Sequence, residues 1–460
     1  MSQPSGRLPL SLKLGYGVAD VGLNIYFATT GLLLVPFLLT VLGISPAVAG
    51  WVMLCPKLWD VVSDPLMGTI SDRTRTSWGR RRPYLLAGSL LFPASFVFLF
   101  SVPAFAEPGP AAAYVAAFFV ISATCFTIFQ VPYGSMTAEM TPDYHERTSV
   151  TAFRQVFASL GLIAAGSLGP ALVAAGGGGR GGYRLMALVL GLISLATLFT
   201  CFVATAGAPR REAPAVQTSF WQQFALCRRN RPFVILASTY MVQTLAIAGL
   251  MSMIGLVSIY IIRADQPEAA TATITASLLV CAMGAMPFWT FLSRRIGKQR
   301  AYTVGSVWFA GAVAMFFWVG EGDLGLAVVL AAAAGVGMTS FQLFPWSMLP
   351  DTIDHDAASS GERREGIYNG FWTAAQKISL AVGPWLLLLI LSVLGFKEST
   401  GGTAVVQPEG ALLGLRLCFS LVPAAIFLSA LAVLRFYSLP SGQGTDSTVS
   451  PTNRSPHPGP

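Results

Sequence analysis

Charge is scarce in this chain. Asp, Glu, Lys and Arg make up 11% of its 460 residues, where a soluble domain carries about 25%. Hydrophobic residues make up 54% and the mean hydropathy is +0.63. This composition shows no sign of a separate soluble domain and reads as a polytopic membrane protein. Catalytic motifs are missing as well. GxSxG, HExxH and GxxxxGK[ST] do not occur, which removes the nucleophile elbow, the zincin helix and the phosphate loop. The chain is therefore not expected to be an enzyme, and without an ATP site a primary pump is not expected either.

Cysteine is sparse and unpatterned. Cys55, Cys125, Cys201, Cys227, Cys281 and Cys418 form no CxxC pair. They read as small buried hydrophobes rather than disulfides or metal ligands. Asp354, His355 and Asp356 stand together, but in a run that reads as one solvated loop, so no resident metal and no cofactor are expected. The net charge of +8 does not imply nucleic acid, because the basic residues sit in short clusters between apolar runs. Residues 1–10 are a short polar leader, and the first apolar run is too long for the h-region of a cleavable signal peptide.

The apolar runs themselves are what the chain has in excess. About 20 apolar residues cross the hydrocarbon core. Such spans are expected at roughly 14–41, 46–70, 83–104, 111–138, 150–175, 183–206, 232–262, 268–293, 301–319, 324–348, 366–395 and 411–437. The fold class is then an all-α membrane protein with twelve transmembrane helices. Arginine and lysine concentrate after the even-numbered spans, as in Arg73, Arg75, Arg80–Arg82, Arg228, Arg229, Arg294 and Arg295. By the positive-inside rule both termini are cytoplasmic. Two sequence pairs mark a repeat: GRRRPY (79–84) with GKQRAY (297–302), and PYGSMTAEMT (132–141) with PWSMLPDTID (345–354). They predict two pseudo-symmetric six-helix bundles in parallel repeat. The expected organisation is a leader at 1–13, an N-terminal bundle at 14–206, a cytoplasmic linker at 207–231, a C-terminal bundle at 232–437 and a disordered tail at 438–460.

The second span, LWDVVSDPLMGTISDR, breaks the apolar pattern. Asp60 and Asp64 lie four residues apart and so share a helix face. A carboxylate at the bilayer centre costs about 2.5–3.5 kcal/mol on insertion scales. A small cation bound between the two acids relieves both the cost and their repulsion. Hard cations take oxygen ligands, and Asp60, Ser63, Asp64 and, from span four, Thr127 supply them. Without an oxygen cage the acids instead carry protons, and a fixed ion pair that merely holds helices together is the structural alternative. Lys57, one turn before Asp60, pairs with it or snorkels. The matching span of the second half, 275–295, has no acid in its apolar part, so a cation site belongs to the first half alone.

Other polar residues within spans are candidates for substrate. Gln130 and Thr127 lie on span four, near the helix-breaking Pro132. Arg154 on span five carries a planar fork suited to hydroxyl, carboxylate or phosphate groups, or to a gate or interdomain ion pair. Trp372, Thr373, Gln376 and Lys377 on span eleven read as a ligand wall, with interfacial anchoring as the alternative for Trp372. The loop GTISDRTRTSWGRRRP (68–83) reads as a conformational latch. Its candidate parts are Gly68 for close helix approach, Asp72 as a cap, and Arg73, Gly79, Arg80 and Arg81 at the cytoplasmic surface.

KLGYG, LWDVVSDPLMGTISDRTRTSWGRRRPY, VPYGSMTAEMTPDYHERT with Arg154 behind it, and PWSMLPDTIDHDAASSGERREGIYNGFWTAAQK together resemble the glycoside–pentoside–hexuronide:cation symporters of the major facilitator superfamily, the family of melibiose permease. The resemblance covers nearly all of residues 10–437. It implies a Na⁺, Li⁺ or H⁺ site at Asp60, Asp64 and Thr127, with Ser63 where the family often has asparagine. It implies substrate contacts at Arg154, Thr373 and Lys377. The two aspartates with which melibiose permease grips galactosyl hydroxyls fall at Asn24 and Gln130, and its sugar-stacking tryptophan at Gly134. Galactosides are therefore not expected; another glycoside or a uronate is. The vertebrate lysophospholipid symporters are similar in fold and in the span-two acids, which keeps a lysolipid carrier as the alternative. A non-transporting sensor or scaffold is the alternative of another class. The expected partners are a small-molecule substrate, a monovalent cation and the bilayer of a bacterial inner membrane, with the chain a monomer.

Overall fold

The structure is a computed structural model, and it describes residues 8–141, 143–209, 227–360, 365–402 and 404–438. The expected disordered tail from residue 439 onward, residues 1–7 of the leader and 210–226 of the expected linker lie outside the described residues. The described chain is almost wholly helical. Its one extended contact is an isolated bridge between Leu42 and Thr400.

Six helical elements form the first half: α1 (Leu10–Val41), α2 (Pro46–Arg73), α3 (Arg82–Phe100), α4 (Pro108–Met140), α5 (Glu146–Ala175) and α6 (Gly179–Gly207). Six form the second: α7 (Arg231–Tyr260), α8 in two pieces (Pro267–Gly284 and Met286–Ile296), α9 (Lys298–Trp318), α10 (Leu324–Ser360), α11 (Glu365–Val393) and α12 (Glu409–Leu434). Proline at the first or second helical position starts α2, α4, α7 and both pieces of α8, where its missing N–H has no partner to lose. Asp143 caps α5 through the Glu146 amide at 2.9 Å, and Asn230 caps α7 through Phe233 at 3.2 Å. These side chains satisfy donors that a helix start leaves open.

Ten of these elements are long and apolar enough to cross a membrane, and α8, bent by 45° at its break, makes an eleventh. The helix outside that group is α2. Its 28 residues reach about 42 Å at 1.5 Å each, but Lys57, Asp60, Asp64 and its last turn make it too polar by composition. The run Asp351–Ser360, expected as loop, continues α10 as helix. No breaker intervenes after Pro350, so the helix extends past its apolar part. Among the described residues no group of three metal-ligating side chains gathers there or elsewhere.

Helices α1–α6 pack among themselves, as do α7–α12, and among the described residues four extensive helix pairings join the halves: α1 with α7, α2 with α11, and the two segments of α5 beyond Ile163 with the first piece of α8. Loops rich in arginine gather at one end, here called the basic face. At the opposite, far face the halves touch at several points around an open cleft of about 1110 Å³. A Cβ on Gly255 of α7 would lie 2.5 Å from Pro36 of α1, closer than any side chain allows, so glycine is required there. The end of α1 is a π-turn, Phe37–Val41, which leaves carbonyls free of their usual i+4 partners. The α11–α12 connection uses them. Ser399, Gly401 and Gly402 donate their amides to Leu39, Val41 and Thr40 at 2.9, 3.0 and 3.0 Å. Gly401 and Gly402 have φ of +72° and +84°, which permits this turn without Cβ strain. The second piece of α8 and the Tyr144–Ile163 part of α5, both near the basic face, take no part in the extensive packing between the halves.

The far face is thus joined by main-chain hydrogen bonds, whereas among the described residues no extensive packing joins the halves at the basic face. Bridged residues in an antiparallel pair have Cα atoms about 4.5–5.5 Å apart, within reach of a disulfide. A Leu42→Cys/Thr400→Cys double variant should cross-link under mild oxidant and raise the melting temperature of the detergent-solubilised protein by several degrees. Gel mobility with and without reductant reads the cross-link, and failure to form it contradicts the clasp.

Candidate functional site

The acids of α2 face the seam between the halves. Asp60 is 2% exposed, Ser63 6% and Thr127 1%. Thr127 donates its hydroxyl to Asp64 Oδ1 at 2.8 Å, which ties α4 to α2. Asp64 Oδ2 is paired with the Lys377 ammonium of α11, so one ion pair crosses from the first bundle to the second. Lys57 lies 3.6 Å from Asp60 Oδ2, and its ammonium stands 6.0 Å from the Phe119 ring centroid. The cluster therefore holds two carboxylates and two ammoniums. Two buried oxygens in it have no hydrogen-bond partner, Asp60 Oδ1 and Ser63 Oγ. A buried acceptor left open costs about 1–3 kcal/mol, so these two atoms mark where a further ligand fits. Their chemistry, all oxygen and partly anionic, fits a hard monovalent cation or a proton.

Arg154 has a different setting from the one expected for a substrate fork. Its Nε donates to Asp20 Oδ2 at 2.8 Å and its Nη2 to Asp20 Oδ1 at 3.3 Å. The Tyr133 hydroxyl also donates to Asp20. The guanidinium lies 4.4 Å from the Tyr133 ring centroid and 5.7 Å from that of Tyr16, and these two rings are 4.4 Å apart. The fork is occupied by an acid of its own bundle, in an aromatic box that lowers the cost of burying both charges.

Trp372 is also placed differently from the expected ligand wall. It is 0% exposed and stacks on Tyr240 with centroids 4.4 Å apart. Tyr240 in turn stacks on Phe341 at 5.1 Å. Trp372 is thus a core residue of the second bundle in this conformation, neither a wall of the seam nor an interfacial anchor. Thr373, one residue on, is exposed, and Gln376 and Lys377 are half-buried. Asn24 and Gln130 are half-buried too, and the Asn24 amide donates to the Asp20 carbonyl at 2.8 Å.

The loop residues form a staple inside the first bundle. Arg81 is buried and pairs with Asp72 at the end of α2 and with Glu139 at the end of α4, the latter at 2.8 Å, while Arg80 reaches the same carboxylate at 2.9 Å. Gly79 has φ +89°, which turns the chain so that both arginines point inward. Arg73 is exposed. Gly68 does not serve a close approach here, since the nearest atom to a Cβ on it would be Val131 Cγ1 at 3.8 Å; the buried Met67 and Ser71 of α2 flank it instead. The second bundle has the equivalent staple, Lys298 to Asp351 at 2.6 Å. Glu139 was not singled out from the sequence, yet it stands in PYGSMTAEMT much as Asp351 stands in PWSMLPDTID, so the repeat carried the signal.

Comparison with known proteins agrees with this architecture. Residues 15–441 match the model of a family described as MFS/sugar transport protein. An uncharacterized symporter of Synechocystis, sll1374, is 28% identical, with 96% of each chain covered. A glucuronide carrier protein homolog of Escherichia coli is 26% identical over 96% of this chain and 95% of its own. Among solved structures, a bacterial homolog of the human lysosomal transporter Spinster, in an inward-facing conformation, superposes with a TM-score of 0.68 at 15% identity, covering 94% of this chain and 98% of that one.

The cross-bundle pair makes a direct prediction for stability. Removing one partner of a buried pair strands the other charge at about 3–5 kcal/mol, and partial hydration here reduces that to roughly 2–3 kcal/mol. Asp64→Asn and Lys377→Met should each lower the melting temperature in detergent, and the double variant should recover most of the loss. Additive losses in that thermal double-mutant cycle contradict the pair.

Proposed function

We propose, from the premise that this chain belongs to the MFS/sugar transport protein family, that it is a secondary active symporter moving a sugar, glycoside or uronate together with Na⁺ or H⁺. It is a multi-pass membrane transporter and not an enzyme. The observation that carries the finer reading is the pairing of Asp64 with Lys377 across the seam, beside the unpartnered Asp60 Oδ1 and Ser63 Oγ.

The proposed mechanism follows from charge. With no cation present, the Lys377 ammonium neutralises Asp64 and holds the bundles together at mid-depth. A cation entering among Asp60, Ser63, Asp64 and Thr127 competes with that ammonium for Asp64. Released, Lys377 offers three donors to substrate hydroxyls or to a carboxylate. Cation and substrate then favour each other because each frees what the other needs, which is the differential affinity that coupling requires. Asn24 and Gln130 are neutral amides fit to hydrogen-bond a sugar rim, and Thr373 and Gln376 lie on the α11 turns beside Lys377. Lys57 and Arg154 stay paired within the first bundle.

In this reading α2 is the remaining membrane span, completing twelve, and its polarity is tolerated because it faces the seam and not lipid. The basic face is cytoplasmic by the positive-inside rule. Halves joined at the far face and, among the described residues, not packed extensively at the basic face then correspond to a carrier open to the cytoplasm, with the Asp72–Arg81–Glu139 staple free of the second bundle.

Two measurements test the proposal. Asp60→Asn should abolish Na⁺- or pH-gradient-stimulated uptake in proteoliposomes while the protein still inserts; undiminished cation-driven uptake in that variant refutes the site. A thermal-shift screen of the purified protein with sugars, uronates and lysolipids, run with and without Na⁺, should give its largest shift with a sugar or uronate. A shift confined to lysolipids would transfer the reading to the lipid carrier.

A further inference from the structure

One large aromatic side chain of the second bundle is exposed where its neighbours are buried. Trp346 of α10 is 44% exposed, yet it is not loose. It stands edge-on to Tyr240 of α7, centroids 6.3 Å apart at 79°, and to Trp372 of α11, 5.7 Å apart at 66°. Tyr240 and Trp372 are 3% and 0% exposed. The Trp346 and Gln376 side chains lie beside the Tyr240 hydroxyl. The indole is thereby held edge-on against the Phe341–Tyr240–Trp372 stack.

The exposed ring does not face lipid. Helix α10 packs extensively on α8 and α9, and Trp346 lies on the side that meets α7 and α11. Those are the helices that join the first bundle through α1 and α2. Among the described residues no helix of the first bundle packs extensively on α10. An indole in a bilayer-interface belt sits free at headgroup level, whereas this ring is packed edge-on against the buried Tyr240 and Trp372. Nor is Trp346 a core residue, since nearly half of it remains open while the rest of its aromatic group is sealed.

We propose that Trp346 is the platform on which the C–H face of a sugar ring stacks. This rests on the sugar-symport reading above. A sugar ring has C–H groups on its faces and hydroxyls around its rim. A rigid flat aromatic serves the first, and convergent polar groups serve the second. Around Trp346 the polar groups are on α11: Gln376, which already meets the Tyr240 hydroxyl, and the exposed Thr373 one turn before Lys377. Because Gln376 touches the platform's support and Lys377 touches Asp64, α11 connects the ring-stacking surface to the cation cluster. A ring seated on Trp346 thus lies at the side of the seam from which Lys377 can reach it.

The test is uptake in proteoliposomes with two probes, D-glucuronate and methyl β-D-xyloside, for the parent chain, Trp346→Phe and Trp346→Leu. For the transported probe, Trp346→Leu should raise KM about tenfold, with maximal rate and the degree of cation stimulation retained. Trp346→Phe keeps a flat face and should stay within about threefold of the parent. Trp346→Leu with KM within about twofold of the parent overturns the platform alone, and so does a loss of melting temperature with unchanged KM, which marks a packing role. Uptake of neither probe by the parent overturns the sugar reading and the platform with it.

Discussion

The cost of charge in a low-dielectric interior is the constraint on which the rest of this structure depends. Asp60 and Asp64 share one face of α2, Asp60 buried and Asp64 partly so. Each is met by an ammonium, Lys57 from its own helix and Lys377 from α11. The second of these comes from the other bundle, so neutrality at Asp64 is a property of the two bundles together. Any movement that separates α2 from α11 must replace Lys377 with another positive charge or leave a carboxylate bare. A buried pair of this kind contributes little net stability against an apolar contact. On the proposed function, its worth lies in making the relative position of the bundles depend on what is bound.

The remaining charges are arranged so that the bundles move whole. Arg81 joins the ends of α2, α3 and α4 through Asp72 and Glu139; Lys298 joins the starts and ends of α9 and α10 through Asp351; Lys13 reaches Glu146 at 2.8 Å to join α1 with α5. All three staples lie within one bundle. Across the seam the far-face contacts are main-chain hydrogen bonds and small residues such as Gly255 against Pro36. Contacts of that kind break without stranding a charge. Among the described residues Asp64–Lys377 is then the ionic tie between bundles whose other cross-seam contacts are uncharged, an arrangement that on the proposed function permits rocking as rigid bodies.

Much of this was legible in the sequence, and the parts that were not share a cause. The acid pair on α2 could be read because an i, i+4 spacing is local. The repeat could be read because GRRRPY and GKQRAY both open a helix with basic residues. The partner of Asp64 could not, since Lys377 lies 313 positions away and periodicity says nothing of contacts at that distance. Trp372 and Trp346 were indistinguishable by composition; which one faces the seam depends on the rotation of α10 and α11 about their axes, which α7 sets through Tyr240. Gly68 had the composition of a close-packing position but has no close neighbour in this conformation. The helical run Asp351–Ser360 looked like loop because its residues are polar, although nothing in it stops a helix.

The pairing of Arg154 bears on how charge in the substrate is recognised. Its Nε and Nη2 both donate to Asp20, its Nη1 to Thr137, and Tyr133 adds a hydrogen bond to the same Asp20 carboxylate. A uronate carboxylate approaching Arg154 would have to displace Asp20, which would then be left buried and unpaired inside its own bundle. That exchange returns no charge to balance. At Lys377 the exchange does balance, because a cation can take over Asp64 as the ammonium turns to the substrate. On the proposed function, an anionic group is therefore read by Lys377 rather than by Arg154. The same ammonium then serves the cation site in the empty carrier and the substrate site in the loaded one, and that double use is what makes transport of either species depend on the other.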